Sequence, residues 1–248
     1  MTKSVCIATY NGSRFIAKQI DSVLAQLSVD DELIIVDDGS TDQVVKIIEN
    51  YDDSRIRIFV NPRNMRHVKT FERAVRMAEN EMVILCDQDD IWTDNRVAVL
   101  ENYFAKNPGV VLITSNCVCI DDHDREIAHT IRTVNEKDSF AYKKNILSIL
   151  RGKIGYYGCL MAFRQSLKKI ILPIPSYVEA HDLWIAMAAN LLHQNLHINE
   201  ITLKHRLHAS NASDLSRGFW KKVSARKNLM RSIVELNKRI ANLTDESQ

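Results

Sequence analysis

The chain has 248 residues and a formal net charge of +2, with 46% hydrophobic and 26% charged residues. That balance is ordinary for a globular protein; it excludes bulk disorder and gives no sign of a nucleic-acid partner. The length suits one α/β domain with a C-terminal appendage better than two full domains.

Two periodicities alternate over the first 120 residues. Ser4 to Thr9 is a short apolar run that stops at Tyr10-Asn11-Gly12, which predicts a strand closed by a turn. Phe15, Ile16, Ile20, Val23, Leu24 and Leu27 then fall at helical spacing. A second strand over 32–36 ends in Asp37-Asp38-Gly39-Ser40, and Ser40 or Thr41 would cap a helix through Asn50. A strand over 55–60 and a helix over 67–78 follow. Met82 to Cys86 is a fourth strand, closed by Asp87-Gln88-Asp89-Asp90; a helix over 94–105 and a strand over 110–114 come next.

The second half is less regular. Residues 122–140 are polar and predict a loop or mobile hairpin. Helices are expected over 141–150 and 178–192, a strand over 157–163, and one or two strands over 196–206. Residues 208–218 suggest a flexible loop, and 219–243 a basic amphipathic helix. Repeated strand-helix-strand units predict a mostly parallel, Rossmann-like sheet with helices on both faces. Ligands of such sheets bind beyond the carboxyl ends of the strands, where the acidic and glycine-containing turns lie.

The five cysteines form no regular framework and four lie in apolar runs, which predicts reduced thiols and a cytoplasmic protein. Cys117 and Cys119 lack metal-site spacing and read as apolar packing. No signal peptide opens the chain, and no run nears the roughly 20 apolar residues of a membrane span.

Three of the four residues 87–90 are acids. Two like charges about 4 Å apart cost roughly 4 kcal/mol at an effective dielectric near 20, and a divalent cation removes that cost. Magnesium and manganese prefer such carboxylates together with phosphate oxygens; the plainer reading is a solvated helix-capping turn. Asp38 can accept a base N–H or a ribose hydroxyl, or merely belong to a turn. Asp182, in His181-Asp182-Leu183-Trp184, is either a general base or a helix N-terminal charge. Trp184 suits sugar stacking or core packing, and His181 stands beside it as a second acceptor contact. Arg206 could meet a diphosphate and His208 could ligate the metal, or both are surface residues.

The order of these segments resembles the family-2 glycosyltransferases, which have the GT-A fold. The matching strings are CIATYNG, ELIIVDDGSTD, NPRN followed by VKTFERAV, ILCDQDDIW, YYGCLMAFR, EAHDLW and HRLHASN, over about residues 3–213. The resemblance implies a catalytic domain over 1–213, with a nucleotide-binding half (1–115) and an acceptor-binding half (116–213). Residues 214–248 would form a C-terminal helical extension. It implies that Thr9, Tyr10, Asn11 and Asp38 hold the base and ribose, and that Asp87 and Asp89 meet the ribose and diphosphate. Mn2+ or Mg2+ would be bound by Asp89 or Asp90, and Asp182 would be the catalytic base. The reaction implied is inverting transfer of one sugar from a donor of the UDP-Glc, UDP-Gal or dTDP-Rha type to a saccharide acceptor. The acceptor could be carried on undecaprenyl diphosphate, in O-antigen or capsule synthesis. The basic stretch 217–243 could then touch the inner face of the cell membrane.

The chain departs from the family in having His181 where glutamate is common, and Met65-Arg66 where glycine is common. It lacks the QxxRW string of processive synthases, which implies transfer of a single sugar. A nucleotidyltransferase is the competing enzyme class, but YNGSRF carries one glycine and no lysine where that class needs a richer loop. A non-catalytic nucleotide-sugar or glycan-binding module would leave Asp182 without a role.

Overall fold

A computed structural model describes residues 1–208 and 219–245. In chain order the strands and helices are β1 (Lys3–Thr9), α1 (Ile16–Leu24), β2 (Glu32–Asp37), α2 (Val44–Glu49), β3 (Ile56–Val60), α3 (Arg66–Met77), β4 (Met82–Asp87), β5 (Ile91–Trp92), α4 (Arg96–Lys106), β6 (Leu112–Ile120), α5 (Tyr142–Leu150), β7 (Met161–Arg164), α6 (Lys168–Ile171), α7 (His181–Leu191), β8 (Asn195–Arg206) and α8 (Phe219–Asp245). They build one eight-stranded sheet in the order β3-β2-β1-β4-β7-β6-β8-β5. The β3-β2-β1-β4 half is parallel, as are β6 and β8, while β7 and β5 pair antiparallel with their neighbours.

The sheet is covered on both faces, and the middles of its parallel strands β1, β2 and β4 are accordingly continuous apolar runs. Val5, Ile7, Leu33, Ile35 and Ile84 pack against α1, α2 and α4. The alternate residues Cys6, Ile34, Val36, Val83 and Leu85 pack against α3 and α7. Each fully buried Leu, Ile or Val contributes about 1.5–3 kcal/mol, so this alternation dominates the fold's stability. The inner stripe of α8 (Leu229, Ile233, Leu236 and Ile240) joins the second of these clusters.

Several boundaries differ from the predictions. β6 continues to Ile120, past the predicted end at residue 114, because it pairs with β8 through a bulge between Thr114 and Cys117. That extension places Ile120 opposite Arg206, at the mouth of the acidic turn. Residues 158–160 form a 3-10 turn before β7 instead of a strand. Helix α7 starts at His181, not residue 178, after the extended Ala180. Neither Ser40 nor Thr41 caps α2, which begins at Val44: the Ser40 hydroxyl donates to Asp37, and the Thr41 amide donates to Asn11 Oδ1. Of the predicted loop over 208–218, all but His208 lies outside the described residues.

Candidate active site

The ends of β2, β1 and β4 are neighbours by register, with Asp37 opposite Thr9 and Asp87 opposite Ala8. The turns that follow them therefore open onto one cleft. Asn11 adopts a left-handed φ of 50°, which asparagine tolerates. Its side-chain oxygen accepts from the Thr41 amide at 2.9 Å, and its own amide donates to Ser40 Oγ at 2.8 Å. Tyr10 is 45% exposed above this junction. Asp38 is buried, and its Oδ1 accepts from Asn61 Nδ2 and from the Met65 amide, both at 2.8 Å. Gly39 sits at φ +75° with Arg63 backbone 3.1 Å from where a Cβ would lie, so the turn needs glycine.

Gln88, which the sequence reading passed over, ties the first turn to the acidic one. Its Oε1 accepts from Thr9 Oγ1 at 2.6 Å and from the Tyr10 amide at 2.9 Å. Thr9 is thus buried as a turn support, with its hydroxyl spent on Gln88. Gly12 lies under the same side chain, where a Cβ would stand 2.2 Å from Gln88 Oε1.

The three acids of the turn have different surroundings. Asp90 is 0% exposed; its Oδ1 pairs with His205 Nδ1 at 2.9 Å and accepts the Arg206 amide at 3.0 Å. Asp89 is only partly buried, with its Oδ2 2.8 Å from His208 Nε2. Burial pushes the Asp87 carboxyl up to about 7, and the charges of Asp90 and Asp89 add to the shift. Burial and Asp90 raise Asp89 as well, against the pull of His208. At His205 burial opposes the charge, yet the hydrogen bond and negative charge of Asp90 hold it up to about 9. A tight set of acids that resists ionising calls for a cation, which is the physical fit for a divalent metal.

Two groups of donors meet that need differently. One oxygen or nitrogen of Asp90 and His205 and the Cys159 sulfur lie within 4.8 Å of one another. Burial drives the Cys159 thiol far above its ordinary value, so it stays protonated, whereas a metal takes the thiolate. Asp89 and His208 instead offer a carboxylate and an imidazole from two elements at a partly exposed position.

Arg206 does not have the role expected for it. It is 0% exposed and its guanidinium is committed inside the protein, donating to the carbonyls of Asp89 and Asp121 at 2.7 Å each and pairing with Asp124 at 2.6 Å. Its ring neighbour Phe15 lies 4.6 Å below. Arg206 therefore supports the acidic turn instead of reaching a diphosphate. Of the two readings for Trp184, core packing fits the structure: it is 1% exposed and donates its indole N–H to the Ile171 carbonyl at 2.9 Å.

Asp182 stands in the first turn of α7 with Oδ1 accepting the Leu183 amide at 2.7 Å. Burial pushes its carboxyl up to about 6, against the lowering by backbone hydrogen bonds from Leu183 and its own amide. Helix α3 ties this turn to the rest of the cleft. The Met65 amide at its start binds Asp38, His67 Nε2 lies 3.1 Å from the Glu179 carbonyl, and Phe71 stacks on His181 at 4.2 Å. Tyr157 stacks its ring on His205 at 6.3 Å, and burial raises its phenol, with Cys117, Cys159 and Asp182 adding to the shift. His181 is buried against Gly158, with both ring nitrogens unpartnered among the described residues, and burial and His67 push it down to about 3. A neutral imidazole thus stands where relatives of this pattern carry an acid.

The parallel half-sheet with acidic turns at its carboxyl ends, extended by a half of mixed strand direction, is a GT-A fold. Residues 4–171 match the family described as Glycosyl transferase family 2, and the chain belongs to that family. It is 33% identical over 131 residues to an uncharacterized glycosyltransferase of Nostoc sp., covering 51% of this chain and 40% of that one. It is 29% identical over 104 residues to the Escherichia coli UDP-Glc:alpha-D-GlcNAc-diphosphoundecaprenol beta-1,3-glucosyltransferase WfgD, covering 42% of this chain and 41% of WfgD. The chain thus spans about two-fifths of each of these relatives. Among solved structures, S. aureus TarS 1-349 in complex with UDP-GlcNAc superposes with a TM-score of 0.68 at 18% identity, covering 96% of this chain and 72% of TarS 1-349. The mannosyltransferase PcManGT from Pyrobaculum calidifontis, in complex with GDP-Man and Mn2+, gives a TM-score of 0.58 at 16% identity, covering 98% of this chain and 75% of that one.

Proposed function

We propose that this chain transfers a single sugar, with inversion, from a nucleoside diphosphate sugar to a saccharide acceptor during surface-polysaccharide synthesis. The observation that carries this reading is the pair of acidic turns at the ends of β2 and β4, on either side of β1, in a chain whose residues 4–171 match the glycosyl transferase family; α3 binds Asp38 through the Met65 amide and packs Phe71 on His181, next to Asp182. In the cleft these turns open onto, the exposed Tyr10 ring and Asp38 hold the base and ribose, with Asn11 shaping that turn, and Asp87 and Asp89 face the ribose and diphosphate. Asp182 takes the proton of the acceptor hydroxyl as that oxygen bonds to the anomeric carbon and the bond to the diphosphate breaks. A base already raised to about 6 is ionised at neutral pH, yet holds a proton better than a free carboxylate does.

Asp89 and His208 are the residues that would hold Mn2+ or Mg2+. Such an ion supplies positive charge for the departing diphosphate. Asp90, His205 and Arg206 hold Asp89 in place from beneath.

WfgD's name describes a lipid-linked acceptor, and we extend that class to this chain. No helix among the described residues is long and apolar enough to cross a membrane. The solvent side of α8 instead carries Val223, Met230 and Val234 among Arg226, Lys227, Arg231 and Lys238, which suits peripheral contact with an anionic cytoplasmic leaflet.

The test is a panel of UDP-Glc, UDP-Gal, UDP-GlcNAc, GDP-Man and dTDP-Rha with Mn2+, scored by thermal shift and then by transfer to a diphosphate-linked saccharide. A shift with at least one sugar nucleotide, followed by release of the nucleoside diphosphate only when acceptor is present, supports the proposal. Stabilisation by nucleoside triphosphates alone would move the chain to the nucleotidyltransferases, and binding without turnover would make it a binding module.

A further inference from the structure

Outside the acidic cleft, a cavity of about 400 Å³ lies between α5, α7 and α8. Ile149, Leu150, Val178, Leu183, Leu229 and the edge of Trp184 give it apolar walls. Arg151 and Arg226 border it as exposed cations, and the one acid beside them, Glu179, accepts from Asn228 Nδ2 at 3.0 Å. Apolar walls with a cationic rim suit an amphiphile that has an apolar tail and an anionic head.

Its place on α7 narrows the choice. Ala180, just before α7, and Leu183 and Trp184 in its first turn line the cavity. Asp182 lies in that same first turn, between Ala180 and Leu183 in sequence, so the cavity wall and the base share one helix start. A ligand anchored by its tail and held at its rim by the two arginines carries its next group around the start of α7 toward the base. We infer that this cavity seats the lipid end of the acceptor: the first isoprene units of a prenyl diphosphate against the apolar wall, and its diphosphate at Arg151 and Arg226. This rests on the transferase reading above. The cavity lies in the size range of small-molecule sites, roughly 300–1,000 Å³. It holds only the head of a long polyprenyl chain; the remainder leaves along the exposed apolar residues Val223, Met230 and Val234 of α8.

The experiment titrates farnesyl diphosphate into the full chain and follows tryptophan fluorescence, since Trp184 borders the cavity. Farnesol, a fatty acid and inorganic diphosphate are the comparison probes. Saturable quenching by farnesyl diphosphate, at least tenfold tighter than by any comparison probe, is the expected result. The double variant Arg151→Ala/Arg226→Ala, confined to exposed side chains, should weaken farnesyl diphosphate at least tenfold and leave the sugar-nucleotide thermal shift intact. Ala225→Phe, which fills the cavity from α8, should abolish the quenching. Equal binding of farnesol or the fatty acid would make this an unselective apolar site, and equal binding of inorganic diphosphate an anion site; either overturns the assignment. Wild-type affinity in Ala225→Phe would also overturn it by placing the probe elsewhere. Loss of every sugar-nucleotide response while farnesyl diphosphate still binds here would sink the transferase reading and not the cavity's preference.

Discussion

Replacing Asp182 by asparagine tests the chemical core of the proposal, because the variant keeps the side-chain shape and the oxygen that accepts the Leu183 amide. Burial raises the Asp182 carboxyl from 3.8 to about 6. At about 1.36 kcal/mol per pKa unit, that shift disfavours the ionised form in the folded protein by roughly 3 kcal/mol. Two consequences follow with opposite signs. A positioned general base contributes about 10²–10⁴ in rate, so Asp182→Asn should lower kcat at least about 100-fold with donor affinity kept within about twofold. A carboxylate whose folded value is raised is tolerated fully below its unfolded value and costs stability as pH climbs toward its folded value. Asp182→Asn should therefore melt higher than wild type above pH 6, by up to roughly 3 kcal/mol of unfolding free energy, and lose that advantage near pH 4. Nucleoside diphosphate release assayed from pH 5 to 8, titration calorimetry with the donor, and melting curves at both pH values supply the readouts. In the wild type, kcat/KM should fall about tenfold per unit of pH below about 6, where the base is protonated. Turnover above a tenth of wild type in the variant, or a wild-type inflection near 4, would refute the base assignment.

If Asp89 and His208 hold the metal, millimolar EDTA should stop transfer and excess Mn2+ restore it. Mn2+ should raise the melting temperature of wild type but not of Asp89→Asn/His208→Ala; an equal rise in the variant would point to other ligands. Arg206→Leu removes a buried cation from two carbonyls and Asp124. Asp124 is partly exposed and also pairs with Lys18, so the cost is mainly that of two carbonyls left without a donor, about 1–3 kcal/mol each, visible in urea unfolding; a change below about 1 kcal/mol would show that the guanidinium does not support the turn. Charge reversal at Lys227, Arg231 and Lys238 should abolish sedimentation with vesicles containing phosphatidylglycerol while leaving transfer to a water-soluble acceptor unchanged; undiminished sedimentation would exclude α8 as the contact.

Much of the parallel half was legible because its signals are local. Apolar runs of strand length end at Tyr10-Asn11-Gly12, Asp37-Asp38-Gly39 and Asp87-Gln88-Asp89, and each strand indeed stops there. The second half depends on pairings that no local pattern carries. The length of β6 comes from its bulged pairing with β8, which the apolar run over 110–114 does not reveal. Gln88 looked like a spacer between acids, since nothing in DQDD announces that an amide will accept from Thr9 and Tyr10 nearly 80 residues earlier. No local spacing marks His205 either, because its partner Asp90 is 115 residues away. Residue type alone leaves Arg206 open between ligand and surface and Trp184 between sugar and core, and only burial decides whether a cation or an indole faces ligand or core.

The doubled acid at positions 89 and 90 makes the same point at one turn. Consecutive residues entering an extended segment project to opposite sides. Asp90 is turned inward, where its Oδ1 receives both the His205 ring and the Arg206 amide and so fixes the end of β8. Asp89 is only partly buried and meets His208, which that same end of β8 delivers two residues past Arg206. The Asp89 carbonyl is in turn gripped by the Arg206 guanidinium, so the two chain segments hold each other at three points. On this arrangement Asp90 contributes by positioning: moving it would shift His208 as much as it shifts Asp89. The two overlapping DxD registers are therefore not equivalent, because one acid faces the cleft while the other is a buried strut that keeps the imidazole opposite it.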